Sequence, residues 1–162
     1  MVTRRFMALF FAAATVVSLG VARPASASLF GDRRPDEFAA EQYMFSLINN
    51  KRHHATTPKP VLTLDRQMRL DARDNSDSMA ADDQFESPST FASSPCATVG
   101  HGRANTGYTQ QMNSIFSGWL SNPTTRRCIL DPTKHFGAVG VTRGDNWSYW
   151  VTFIASPRAD TG

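Results

Sequence analysis

Apolar positions follow three different rhythms along this chain. The first is an unbroken run: Phe6 to Ala22 is an uncharged, Ala- and Val-rich stretch of 17 residues. The second has the period of a helix. Asp36 and Glu37, after Pro35, put acids where a helix N-terminus favours them. Phe38, Glu41, Phe45 and Ile48 then share one face, with Ala40, Met44 and Leu47 beside it, which predicts a helix ending near Asn49-Asn50. Asp65 is a suitable N-cap for a second helix running to about Ala81. Its buried stripe would be Met68, Ala72, Asn75 or Ser76, and Met79, leaving Arg and Asp on a solvated face. Thr109 could cap a third helix with a stripe of Met112, Ile115, Phe116, Trp119 and Leu120, ended by Asn122-Pro123. Arg126 to Leu130 resembles a short further turn. The third rhythm has period two: Phe136 to Thr142 alternates through Val139 and Val141, Gly144-Asp145-Asn146 turns, and Trp147 to Ala155 completes a hairpin.

Two stretches keep no rhythm. Lys51 to Pro60 holds two prolines, two threonines and the adjacent His53 and His54, and reads as a surface loop leading to the short apolar Val61 to Leu64. Asp82 to Gly107 is rich in Ser, Pro, Thr, Ala and Gly, and is expected to be irregular and pinned at Cys96. Helices on a small antiparallel sheet give an α+β class, and an α/β/α sandwich if helices cover both faces. The chain contains no internal repeat.

The unbroken run changes the picture of where the protein works. Arg4 and Arg5 precede it, Arg23-Pro24 breaks it, and Ala25-Ser26-Ala27 supplies the small-x-small pattern of a cleavage site. Residues 1–27 therefore read as a signal peptide, 28–36 as a flexible lead-in, 37–157 as one domain and 158–162 as a tail. A retained anchor is the alternative, because 17 apolar residues lie at the bottom of the spanning range. The chain has 17 Lys+Arg against 14 Asp+Glu, but three of the arginines lie in the signal, leaving 14 of each sign. A neutral mature domain gives no support for nucleic acid or acidic membranes as partners, and contact with a membrane is expected only during export. Outside the cytoplasm, the two cysteines, Cys96 and Cys128, read first as one disulfide.

Four stretches carry a resemblance. Met44-Phe45-Ser46-Leu47-Ile48-Asn49 with Arg52 is like "LVNxxR". Leu62-Thr63-Leu64-Asp65 through Ala72, Ser76 and Met79 is like "LTWDxxLxxxAxxxSxxMA". Gly118-Trp119-Leu120-Ser121-Asn122-Pro123, with Arg126 and Ile129-Leu130, is like "GWxxSPxHRxxIL". His135-Phe136-Gly137-Ala138-Val139-Gly140 is like "HIGVGV", followed by the aromatic strand Tyr149 to Phe153. In this order they resemble the CAP superfamily of cysteine-rich secretory, antigen 5 and pathogenesis-related-1 proteins, in its small bacterial secreted (SCP-like) form. The resemblance implies a CAP-like α/β/α sandwich.

It also implies a cleft with two histidines and two acids, which binds zinc in some members. Carried over, His135 matches the histidine opening the "HIGVG" strand, and His101 stands where "GEN" would place a carboxylate. Ser87 stands where a histidine follows "FFS", and no acid occurs among Thr90 to Ala92. Two histidines, with Glu86 as a third donor if the loop shifts by one residue, fall short of the usual ligand count. The expected cofactor is none, with weak binding of a divalent metal such as zinc as the alternative. Ser87, His101 and His135 are the candidates for a weak hydrolase or a metal-dependent enzyme, although nothing like GxSxG marks the serine as activated. The resemblance also implies that Trp147, Tyr149, Trp150 and Phe153 could line a lipid or sterol groove, against the plainer reading that Trp147, Tyr149, Val151 and Phe153 share one side of a strand and form core. Arg126 corresponds to a position holding the chain after the third helix. The expected function is a secreted, non-catalytic domain binding a small apolar ligand or a protein or cell-envelope partner; a purely structural domain held by the disulfide is the third reading.

Overall fold

The computed structural model describes residues 33–86, 96–103 and 105–159. Residues 1–27, read above as a signal peptide, Ser87, the positions Thr90 to Ala92 and the last three residues lie outside that set. In chain order the elements are α1 (Pro35–His53), β1 (Thr63–Leu64), α2 (Arg66–Asp82), β2 (Cys96–His101), α3 (Tyr108–Ser121), α4 (Pro123–Ile129), β3 (Phe136–Arg143), a 3-10 turn (Asp145–Trp147) and β4 (Tyr149–Ser156). The four-stranded sheet runs β1-β3-β4-β2. Its hairpin pairs Phe136 with Ser156 and Arg143 with Tyr149. β2 pairs antiparallel with β4, from Cys96 opposite Ala155 to His101 opposite Trp150.

Two expectations need correction here. The sheet is mixed rather than wholly antiparallel, because β1 lies parallel to β3, Thr63 beside Phe136 and Leu64 beside Gly137. A two-residue ladder carries no readable period. The segment expected to be irregular also contains β2, an edge strand of Cys-Ala-Thr-Val-Gly-His whose small and polar side chains hide the alternation. What fixes β2 is tertiary: Trp119 Nε1 donates to the Val99 carbonyl at 2.9 Å, and a side chain at Gly100 would strike Ile115.

Helices cover both faces of the sheet. α2 lies on one, where Met68 and Ala72 pack on Ala138 and Ile154. Its backbone crosses β3 so closely that a Cβ at Gly140 would overlap Ala72 and Arg73, so only glycine fits. The expected α2 stripe of Met68, Ala72, Ser76 and Met79 is buried, and Asp65 caps the helix by accepting from Met68 N at 2.9 Å. On the other face α1 and α3 bury Met44, Ile48, Met112, Ile115 and Trp119 against Val139, Val141, Val151 and Phe153. α3 starts one residue before Thr109, with Gly107 at its N-cap, and Asn122 caps α4 by accepting from Thr124 N and Thr125 N.

α1 departs from its predicted face. Phe38 is exposed, and the buried positions are Glu37, Ala40, Glu41, Met44, Ile48 and Arg52. Helical spacing is kept, but half of the inward face is charged, so an apolar count misplaces it. The charges are matched. Glu41 accepts from Arg69 and, through both oxygens, from Arg73 at 2.7 Å. The supposedly solvated face of α2 therefore turns two arginines inward.

Arg52 is fully buried. Its Nε donates to the Pro60 carbonyl at 2.7 Å, Nη1 to Ile129 and Asp131 at 2.7 and 3.1 Å, and Nη2 to Lys134 at 2.8 Å. One planar fork thus ties the end of α1 to the loop before β1, the C-terminus of α4 and the turn into β3. Burial presses its pKa downward, opposed by attraction to Asp131. Arg126, expected to hold the chain here, is exposed instead. Replacing Arg52 with Met would leave four carbonyls without this donor. Chemical denaturation of Arg52→Met should show a loss of about 3–5 kcal/mol. A loss below about 1 kcal/mol would show that solvent or a neighbour replaces the fork.

Candidate functional site

The two histidines carried over to the cleft do not meet. His101 ends β2 opposite Trp150, whereas His135 precedes β3 and donates its backbone N–H to Ser156 O at 3.0 Å. Trp150 and Ser156 are six residues apart on β4, roughly 20 Å along an extended strand. His101 lies flat on Trp150, ring centroids 4.1 Å apart, and Phe85 stands edge-on to both. Burial pushes the His101 imidazole below its ordinary pKa, with Asp83 pulling the other way. Glu86 is the last described residue before Ser87, which itself is not described. His53 and His54 are exposed as expected, but His53 is the last residue of α1 and His54 its C-cap, so the helix runs past Asn50 into the segment expected to be a loop.

Cys96 and Cys128 form a disulfide, with Cα atoms 5.4 Å apart, linking the start of β2 to α4. Beside it, Thr125 Oγ1 lies 3.5 Å from Thr98 Oγ1. Thr125 is informative: with Pro123 aligned on the proline of "GWxxSPxHRxxIL", the histidine of that motif falls on Thr125.

The aromatic strand divides between core and surface. Tyr149, Trp150 and Phe153 are buried, while Trp147 is 64% exposed. Trp147 does not share the strand's face, because the chain turns through Asp145–Trp147 before β4 begins. Among the described residues, four that are not glycine have positive φ: Asp83, Asn105, Asn146 and Trp147. Three of them sit at one end of the sheet. Gln111, buried at the start of α3, joins them by donating from Nε2 to the carbonyls of Thr106 (2.7 Å) and Trp147 (3.0 Å). Arg143 lays its guanidinium over the Trp147 ring at 4.2 Å and is itself held by Asp36 at 2.8 Å. The Tyr149 hydroxyl also donates to Asp36, at 2.7 Å. Burial raises Asp36, but Tyr149 and Arg143 outweigh it and hold the carboxyl below its usual value. Burial, with that hydrogen bond, pushes Tyr149 up to about 12.

A separate open pocket lies between α1, β1, β3 and α2, lined by Glu41, Gln42, Phe45, Leu64, Arg69 and Val139. None of the four aromatic residues proposed for a groove lines it.

Residues 45–154 match the sequence profile of the cysteine-rich secretory protein family, CAP, over more than half of the chain. The chain belongs to the CAP family. Similar folds occur in an outer surface protein of Borrelia burgdorferi, at 11% identity and a TM-score of 0.60, covering 78% of this chain and 98% of that one. An extracellular SCP-domain protein of Bacillus anthracis is 20% identical, with a TM-score of 0.55, over 78% of this chain but 45% of its own. A cysteine-rich secretory protein of Staphylococcus aureus is 13% identical at a TM-score of 0.55, over 77% and 42%. This chain thus spans less than half the length of the Bacillus and Staphylococcus proteins. At these identities the likeness shows the fold. No curated protein sequence matches the chain.

The four-ligand cleft implied by the CAP resemblance does not fit these side chains. Among the described residues no group of three or more His, Cys, Asp or Glu could hold a metal ion, and His101 is engaged with Trp150. Zinc binding needs about three protein donors with water as the fourth ligand. Calorimetric titration of metal-free mature protein with zinc at neutral pH is expected to show binding no tighter than about 100 μM. A stoichiometric, sub-micromolar isotherm abolished by His135→Ala would contradict this placement.

Proposed function

We propose that this CAP domain is exported and acts as a non-catalytic binding module for an extracytoplasmic partner, a cell-envelope component in preference to a small apolar ligand. The observation carrying this reading is the end of the sheet around Trp147. A large aromatic ring is exposed there on strained backbone and braced from beneath by Gln111, Arg143 and Asp36. Backbone strain of this kind persists where surrounding structure over-determines it, and it gathers at ligand-binding positions. Export is supported by the signal-like residues 1–27, by the Cys96–Cys128 bridge, and by the extracellular description of the Bacillus neighbour.

Two measurements on the same secreted material test the reading. N-terminal sequencing should begin at Ser28, or within about two residues of it. The mature protein should co-sediment saturably with envelopes of the cells that secrete it, equally well as Ser87→Ala and as His135→Ala. Absence of saturable binding, or ester hydrolysis by the purified protein that Ser87→Ala abolishes, would overturn it in favour of the structural or hydrolase alternative.

A further inference from the structure

We propose that the rim at Trp147 is a carbohydrate platform: one pyranose ring of an extracytoplasmic oligosaccharide stacks on the open face of Trp147, and the side chains of Asn105, Asp145 and Asn146 bind its hydroxyls. This inference rests on the binding-module reading and names its ligand class.

The chemistry follows from the surroundings of the ring. A sugar ring presents C–H groups on its face and hydroxyls at its edge. The face is attracted to the electron-rich face of an indole, and the edge needs amides or carboxylates. Trp147 offers one face to the Arg143 guanidinium at 4.2 Å and, at 64% exposure, leaves the other to solvent. Asp145, Asn146 and Asn105 are exposed polar side chains on the two segments that meet there. Those segments are set side by side by the single Gln111 amide and by Gly102 N donating to Tyr149 O at 2.8 Å.

The platform is also held still before any ligand arrives. Asn105, Asn146 and Trp147 occupy left-handed backbone at φ 71°, 58° and 62°. That conformation costs energy in a non-glycine residue, and here it turns a large apolar ring outward rather than into the core. Arg143 cannot swing away without breaking its bond to Asp36. A rigid aromatic surface loses little entropy on binding, which suits a weakly polarised, heavily hydrated ligand. A bilayer is the poorer occupant. Besides Arg143 on its ring, the chain neighbours of Trp147 include the exposed Asp145 and Asn146, and insertion of the ring would carry the Asp145 carboxylate toward the acyl chains.

The protein contains three tryptophans, and Trp119 and Trp150 are buried, so a ligand-dependent change in indole emission reports Trp147. The mature protein should be titrated with a panel of soluble oligosaccharides: a β-1,4-linked N-acetylglucosamine oligomer, a β-1,4-glucan, an α-1,6-mannan and an arabinogalactan fragment. At least one should give saturable quenching. Trp147→Ala should weaken that binding, read by calorimetry, by about tenfold or more, and Trp147→Phe by about twofold to fivefold. Phe85→Ala, which removes another strongly exposed aromatic among the described residues, should leave it unchanged, and far-UV circular dichroism of all three variants should match the parent. A flat response to every sugar would overturn the inference, as would binding that Trp147→Ala retains, or Trp147-dependent binding to phosphatidylcholine–phosphatidylglycerol vesicles instead. If envelope binding persists in Trp147→Ala, the carbohydrate platform fails while the binding-module reading stands. If envelope binding is absent from the parent, that reading fails first.

Discussion

Arg52 sits where four pieces of chain must meet, and among the described residues its guanidinium bonds to carbonyls, with the Asp131 carboxylate acting on it only at a distance. Taking that charge out of water costs several kcal/mol, and carbonyl dipoles offset the cost only when they converge in its plane. Pro60, Ile129, Asp131 and Lys134 supply them, from the loop before β1, the end of α4 and the turn leading to β3. The geometry is therefore reciprocal. Those turns satisfy Arg52, and Arg52 gives otherwise unpaired carbonyls a donor. Because β1 and β3 both begin beside this junction, their short parallel ladder depends on it, and the disulfide at Cys128 fastens β2 to the same short helix.

At the opposite end of the hairpin a second polar system does related work with a different result. Glu37 accepts from the backbone N–H of Arg143, and Asp36 holds both the Arg143 side chain and the Tyr149 hydroxyl. The first turn of α1 is thereby clamped across β3 and β4, and the turn between those strands is forced into a strained course that leaves Trp147 outside. The first junction stabilises the core. The second uses the stability of the core to hold an exposed ring in place on a loop.

Much of the architecture was legible because helical and alternating periods were strong where burial is apolar. Met68, Ala72, Ser76 and Met79, the α3 stripe, the Asp65 cap and the hairpin all follow from spacing and side-chain chemistry. Legibility failed where burial is polar or contact is made by backbone. Glu37, Glu41 and Arg52 face inward from α1, and Arg73 is buried beside the apolar stripe of α2, so counting apolar residues misplaced the first face and left the arginine off the second. β2 is defined by the close approach that Gly100 permits and by a tryptophan bonded to its carbonyl, features that exist only after folding. The chemistry was less legible than the fold. His101 and His135 are separated in space although both fit plausible motif positions, and Thr125 silently occupies the place of a motif histidine. Trp147 was assigned to a strand because nothing in Gly-Asp-Asn-Trp announces that the fourth residue is still in the turn.

As proposed, this CAP domain engages its partner at the hairpin end, through Trp147, rather than beside Thr98 and Thr125 or at His135. Amide and indole chemical shifts of the isotope-labelled mature protein, followed as solubilised envelope material is added, test it most directly. Perturbations are expected to concentrate at Arg103, Asn105, Thr106, Asn146 and the Trp147 indole. Shifts centred on Thr98, Thr125 and Cys128, or on His135 and Phe136, would contradict it.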